Sequence, residues 1–259
     1  MTYSHLFFLF SMLFSMSFFS MPSQALTDSD AKPNASANKQ AYPAFTADYN
    51  ATWKGGWFPI NVDAQRSLSY SEDGTATLTF EADSVVAGLK EISTFRFFEN
   101  TIQPLNYRYL RTGLFKEPDR HQIFDWQKKQ IINAEEDTVY ENHWNDFVQD
   151  NLSYNLQASI DLKNGKTEFV YPVFDRRKIK DFTFKIVGPE SIKTPVGTLE
   201  TIKIQQVEKK GSKQTTYIWF AKNYDYILVR LKQTKKDGQV YQIDLTHADI
   251  NGKQLNKVK

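Results

Sequence analysis

The stretch Phe45 to Gly55, FTADYNATWKG, sets Phe45, Ala47, Tyr49, Ala51 and Trp53 at every second position, with Thr46, Asp48, Asn50 and Thr52 between them. Successive side chains of an extended backbone point to opposite sides, so this segment predicts a strand with one apolar and one polar face. What covers the apolar face decides the architecture. Phe58, Ile60, Val62 and Ala64 repeat the pattern, and so do Ala76, Leu78, Phe80 and Ala82 after the turn Glu72-Asp73-Gly74. These predict neighbouring antiparallel strands.

Further strands are predicted at about 91–99, 105–113, 121–126, 166–173, 179–188, 198–207, 214–221, 226–234 and 240–248. They are separated by turn-forming pieces: Asn164-Gly165, Pro195-Val196-Gly197, Lys210-Gly211-Ser212 and Asp237-Gly238. One segment breaks this rhythm. Val148, Leu152, Leu156 and Ile160 recur every fourth residue, which predicts an amphipathic helix over 146–163, capped by Asn145 or Asp146 and ended at Gly165. A lone helix needs an apolar surface to lie on, and the sheet offers it. The fold class expected is mainly β (α+β): a large curved antiparallel meander, an open or half barrel, with one amphipathic helix packed on the concave face.

The 259 residues suit one large β domain, and aromatics at 15% of the chain, with 20 Phe, 13 Tyr and 5 Trp, supply a core. A net charge of +2, from 32 basic and 30 acidic residues, is too small to argue for nucleic acid or an anionic membrane surface, and no nucleic-acid partner is expected. Residues 1–25 look like a signal peptide: an apolar run from Leu6 to Met21 precedes Ser23-Gln24-Ala25, a small-x-small ending, although the first residues carry no Lys or Arg. The rival reading is an uncleaved anchor, but the run is short against the ~20 residues that span a bilayer, so cleavage is expected, with no stable membrane span after it. With no Cys there is no lipid-modified cysteine, disulfide or thiolate site. Residues 26–42 read as a flexible linker, 43–250 as a single β-rich domain and 251–259 as a C-terminal tail, in a periplasmic protein.

The second half carries Val187-Gly188 and Glu190, then Thr194-Pro195-Val196-Gly197-Thr198-Leu199 before a strand, then Tyr217-Ile218-Trp219-Phe220-Ala221 before Tyr226 to Arg230. In these the chain resembles the bacterial exported family known as domain of unknown function 3108, over roughly 42–248. The first hairpin, Lys54 to Pro59, is bulkier than the small-residue turn of that family. The resemblance implies an architecture and a compartment, and transfers no catalytic residue. By analogy the half barrel looks like the carriers that shelter lipoprotein acyl chains in the periplasm.

No nucleophile elbow, phosphate loop, dinucleotide fingerprint or zinc-helix spacing occurs, and His121, His143 and His247 are widely separated. No catalytic residue, metal ligand or cofactor is therefore assigned, and Glu135-Glu136-Asp137 reads as a solvated loop. Arg66 lies between Ala64 and Leu68, and Arg96 between Phe95 and Phe97. Each is either a snorkelling or bulge-displaced arginine, or an anion-holding residue at the mouth of a groove, gripping a lipid phosphate or carboxylate. Trp53, Trp57, Tyr107, Tyr109, Trp126 and Trp219 complete the candidate ligand-binding set, with core filling as the alternative for most. So wide a sheet has more apolar face than one helix can cover, which favours binding of a lipid or other apolar molecule. Docking of another envelope protein is the second reading, and an uncharacterised hydrolase the third.

Overall fold

A computed structural model describes residues 41–54, 59–85, 87–113, 116–141, 143–209 and 211–255. The expected signal peptide, most of the linker and Trp57 lie outside the described residues. In the first half of the chain the strands are β1 (Phe45–Lys54), β2 (Ile60–Tyr70), β3 (Ala76–Asp83), β4 (Ala87–Phe98), β5 (Thr101–Gly113), β6 (Arg120–Asp125), β7 (Gln130–Asn133) and β8 (Thr138–Tyr140). Helix α1 (Ser153–Lys163) follows. The second half adds β9 (Glu168–Asp175), β10 (Lys178–Thr194), β11 (Gly197–Gln206), β12 (Thr215–Ala221), β13 (Ile227–Thr234), β14 (Val240–Ile250) and β15 (Lys253–Leu255).

All fifteen strands form one antiparallel sheet in the order β8-β7-β6-β5-β4-β3-β2-β1-β14-β13-β12-β11-β10-β9, with β15 beside the far end of β14. Each arm is thus a meander, and the pairing of β1 with β14, Phe45 opposite Ile250, welds the two arms together. The end strands β8 and β9 do not pair, so the barrel stays open. The alternation in Phe45 to Trp53 is borne out, since Phe45, Ala47 and Tyr49 are buried and the residues between them are more exposed. At the β2–β3 turn Gly74 adopts φ 81°, and the Asp73 carboxylate accepts the Thr75 amide at 3.0 Å and the Ser71 hydroxyl at 2.9 Å. Residues 251–255, expected within a tail, form a turn and the short strand β15.

Helix α1, the one helix among the described residues, lies inside the curve and touches β5, β9 and β13, strands from both arms. Its start differs from the expected 146–163. Asp150 opens it: its Oδ1 accepts the amides of Leu152 (2.8 Å) and Ser153 (2.7 Å), while Ser153 Oγ accepts the Asp150 amide at 3.0 Å, the reciprocal pair of a capping box. The residues before it run beside β9, where the Gln149 amide donates to Pro172 O and the Phe174 amide donates to Gln149 O, both at 2.9 Å. Val148 is buried from that extended piece, so a spacing of four joins two different geometries. The helix ends before Gly165, which takes φ 77°.

Gln157 and Gln149 finish the edge of β5 that β6 leaves unpaired. Gln157 Oε1 accepts the Ile102 amide at 2.8 Å, and Gln149 Nε2 donates to Ile102 O at 2.8 Å. Gln157 Nε2 also donates to Asn100 O and Asp161 Oδ1, both at 2.9 Å. Backbone groups that would be orphaned under the helix are in this way satisfied by side chains.

Candidate functional site: an apolar groove at the open end of the half barrel

Strand register sorts the inner face into rows. The row Ile250-Phe45-Leu68-Leu78-Ser93-Tyr107-Gln122-Asn133 is buried throughout. One step along, Ala248-Ala47-Arg66-Phe80-Glu91-Tyr109-Arg120 is partly open, and Tyr49-Ala64-Ala82-Leu89-Arg111 is open from Ala82 onward. The row Ile243-Ala51-Val62 is only half-buried. The helix fills one end of the barrel and stops short of the other. What it leaves is a groove of about 440 Å³, floored by Ala51, Val62, Ala82, Leu89 and Ile243 and walled by Trp53, Tyr241 and Arg111. Small residues at Ala51, Ala82 and Ala87 keep it hollow. A Cβ at Gly88 would stand 2.5 Å from Asp83 Oδ1 and 2.8 Å from Thr112 Oγ1, so the bare backbone there permits the close approach of its neighbours.

Charge is concentrated beneath and beside the floor. Glu91 accepts the Tyr107 hydroxyl at 2.6 Å. Burial, reinforced by the nearby Asp150, pushes its carboxyl up to about 7, although the Tyr107 bond opposes the shift. Asp150 is also raised by burial, and its Oδ2 accepts the Ser93 hydroxyl at 2.5 Å. Arg66 is 3% exposed, with its guanidinium 5.8 Å from the Phe45 ring centre, and its Nη2 has no hydrogen-bond partner among the described residues. Arg120 lies over the Tyr109 ring at 3.6 Å. At the rim, Glu117 Oε1 accepts Arg111 at 2.8 Å, while Arg120 and Arg176 stand 3.7 and 3.8 Å from its Oε2.

The expected site residues separate. Trp53 lines the groove, donating its Nε1 to Gln239 Oε1 at 3.3 Å and facing Tyr241 with ring centres 6.4 Å apart. Arg66 points inward below the floor. Arg96 is on the outer face, donating Nε to Gln103 Oε1 at 3.0 Å, because Phe95 and Phe97 occupy the inner positions on either side of it. Tyr107 and Tyr109 are core residues. Trp126 donates to Pro104 O at 2.6 Å and meets Trp144 edge-on at 4.8 Å, away from the groove lining. Trp219 pairs in register with Lys203 and Arg230, and through Asp244 and Asn50 belongs to the outer face. Arg111, Leu89 and Ile243 went unnoticed in the sequence, although Arg111 falls on the inner face by the same period of two.

The model of the family described as "Protein of unknown function (DUF3108)" matches residues 48–246. The chain belongs to the DUF3108 family. No curated protein matches it. Among solved structures, this DUF3108 chain is similar to a beta-barrel-like protein of domain of unknown function DUF1849 from Brucella abortus, with TM-score 0.54 and 11% identity over 81% of this chain and 98% of that one. That likeness supports the fold alone. Weaker similarities are to the MucA/MucB complex of Pseudomonas aeruginosa (TM-score 0.35, 7% identity, 82% of this chain, 55% of that one) and to a putative outer membrane lipoprotein-sorting protein domain from Vibrio parahaemolyticus (TM-score 0.23, 9% identity, 80% and 85%).

Proposed function

We propose that this DUF3108 protein is an exported cell-envelope protein that takes the apolar part of a lipid or similar molecule into the groove at the open end of its half barrel. The observation that carries the reading is the hollow itself. The inner face continues past the helix as a half-buried row of Ala, Val, Leu and Ile, and a concave apolar surface of about 440 Å³ is of the size that takes small ligands. Trp53 and Tyr241 at the lip present broad rings with polar tips, a composition suited to the boundary between an apolar body and water. The apolar run and small-x-small ending at the N-terminus support the compartment.

The test is uptake of a neutral fluorescent probe, N-phenyl-1-naphthylamine, by the full chain. Its emission is expected to rise on binding, and Ala82→Trp, which puts an indole into the hollow, is expected to weaken uptake at least about tenfold while leaving the thermal midpoint nearly unchanged. Wild-type protein that leaves the probe dark would refute the reading. A second reading, docking of another envelope protein, has a narrower basis: Val170, Val187 and Val207 are each at least half exposed on β9, β10 and the residue after β11.

A further inference from the structure

We propose that the molecule held in the groove is an amphiphile whose polar end is an oxyanion, a phosphate or a carboxylate, seated on Arg111, Arg120 and Arg176 where they converge on Glu117. This rests on the groove reading above and adds to it the chemistry of the ligand's head. Arg111 belongs both to the groove wall and to the cluster, so the cationic rim adjoins the apolar hollow. Of the three arginines, Arg111 alone is within hydrogen-bond distance of Glu117. Arg120 and Arg176 approach the other oxygen at 3.7 and 3.8 Å, near enough to feel its charge and too far to bond it. Among the described residues no other carboxylate lies within ion-pair distance of either.

A guanidinium is a planar fork of N–H donors that matches two oxygens at once, and two such forks turned toward one half-satisfied carboxylate oxygen leave donors for an incoming oxyanion. Arg120 is held by its stacking on Tyr109 at 3.6 Å, so little ordering is needed when an anion arrives. The floor of Ala51, Val62, Ala82, Leu89 and Ile243 offers no charge, so the tail lies inward and the head outward.

The experiment is displacement of N-phenyl-1-naphthylamine from the full chain by dodecyl phosphate, dodecanoate, dodecanol and inorganic phosphate, each below its micelle concentration. Dodecyl phosphate and dodecanoate are expected to compete at least about tenfold more tightly than dodecanol. Arg120→Gln and Arg176→Gln should each erase much of that gap while the affinity for dodecanol stays the same. Arg176 is well exposed, so its variant reports even if Arg120→Gln fails to fold. Dodecanol binding as tightly as dodecyl phosphate would overturn the anionic head and leave the groove standing. Inorganic phosphate blocking dodecyl phosphate at equal concentration would make this a free-phosphate site and overturn the amphiphile. Failure of the probe itself to bind would overturn the groove and this inference together.

Discussion

Glu91 is a carboxyl placed among Tyr107, Asp150, Arg120 and Arg66, with its ionised form held back by burial until the pH reaches about 7. Its folded value lies above the ordinary 4.5, so the native state holds this proton more tightly than the unfolded chain. Its ionisation therefore opposes folding: the contribution is unpenalised below about pH 4.5, declines as pH rises toward 7, and stays lost above that. Glu91→Gln keeps an acceptor for Tyr107 and removes the titration. The variant is expected to be more stable than the parent at pH 8 by about 1 to 3 kcal/mol and nearly equal to it at pH 4.5, checked by urea unfolding at the two values. Glu91 itself was not legible, because its raised value comes from strands β4 and β5 and the piece before α1 meeting in space. Arg66 and Arg96 make the same point. In sequence both stand among apolar neighbours; Arg66 shares the inner parity of Ala64 and Leu68, whereas Arg96 sits at the off-parity position between Phe95 and Phe97 and turns outward.

Helix α1 shows how an element can be correct in kind and shifted in extent. The four-residue spacing of Val148, Leu152, Leu156 and Ile160 predicts seven residues more helix than forms, since Val148 is buried by lying along β9 and Asp150 sets the start. Nor is its buried surface a narrow stripe. Ser153, Gln157, Ser159 and Asp161 are buried with the apolar residues, because both arms of the sheet press on it and the polar groups have partners to meet. Gln157 is the clearest of these. Gln157→Ala orphans the buried Ile102 amide under the helix and is expected to cost about 1 to 3 kcal/mol in chemical denaturation, more than an exposed Gln would. Such side-chain completion of a strand edge leaves no periodic trace.

Across the whole molecule the period of two was enough to read most of the sheet, including the long strands on either side of Asp237-Gly238. The short strands β7, β8 and β15 escaped because three or four residues cannot show a period. The two free ends of the sheet come near each other without pairing. Arg177 Nη2 donates to Glu136 Oε1 at 2.8 Å, and Tyr140 meets Phe174 with ring centres 5.4 Å apart. Exposed ion pairs of this kind add little, so the seam is held chiefly by its rings. Amide hydrogen exchange should accordingly be slowest in β1, β2 and β14 and fastest in β8. Equal protection along all strands would mean that the sheet closes in solution.

The weld of β1 to β14 also sets a rule for the order of events. β1, the first of the described strands to leave the ribosome, pairs with β14 (Val240–Ile250), and until about residue 250 is free that edge stays unsatisfied. A chain released only as far as β13 therefore cannot lock.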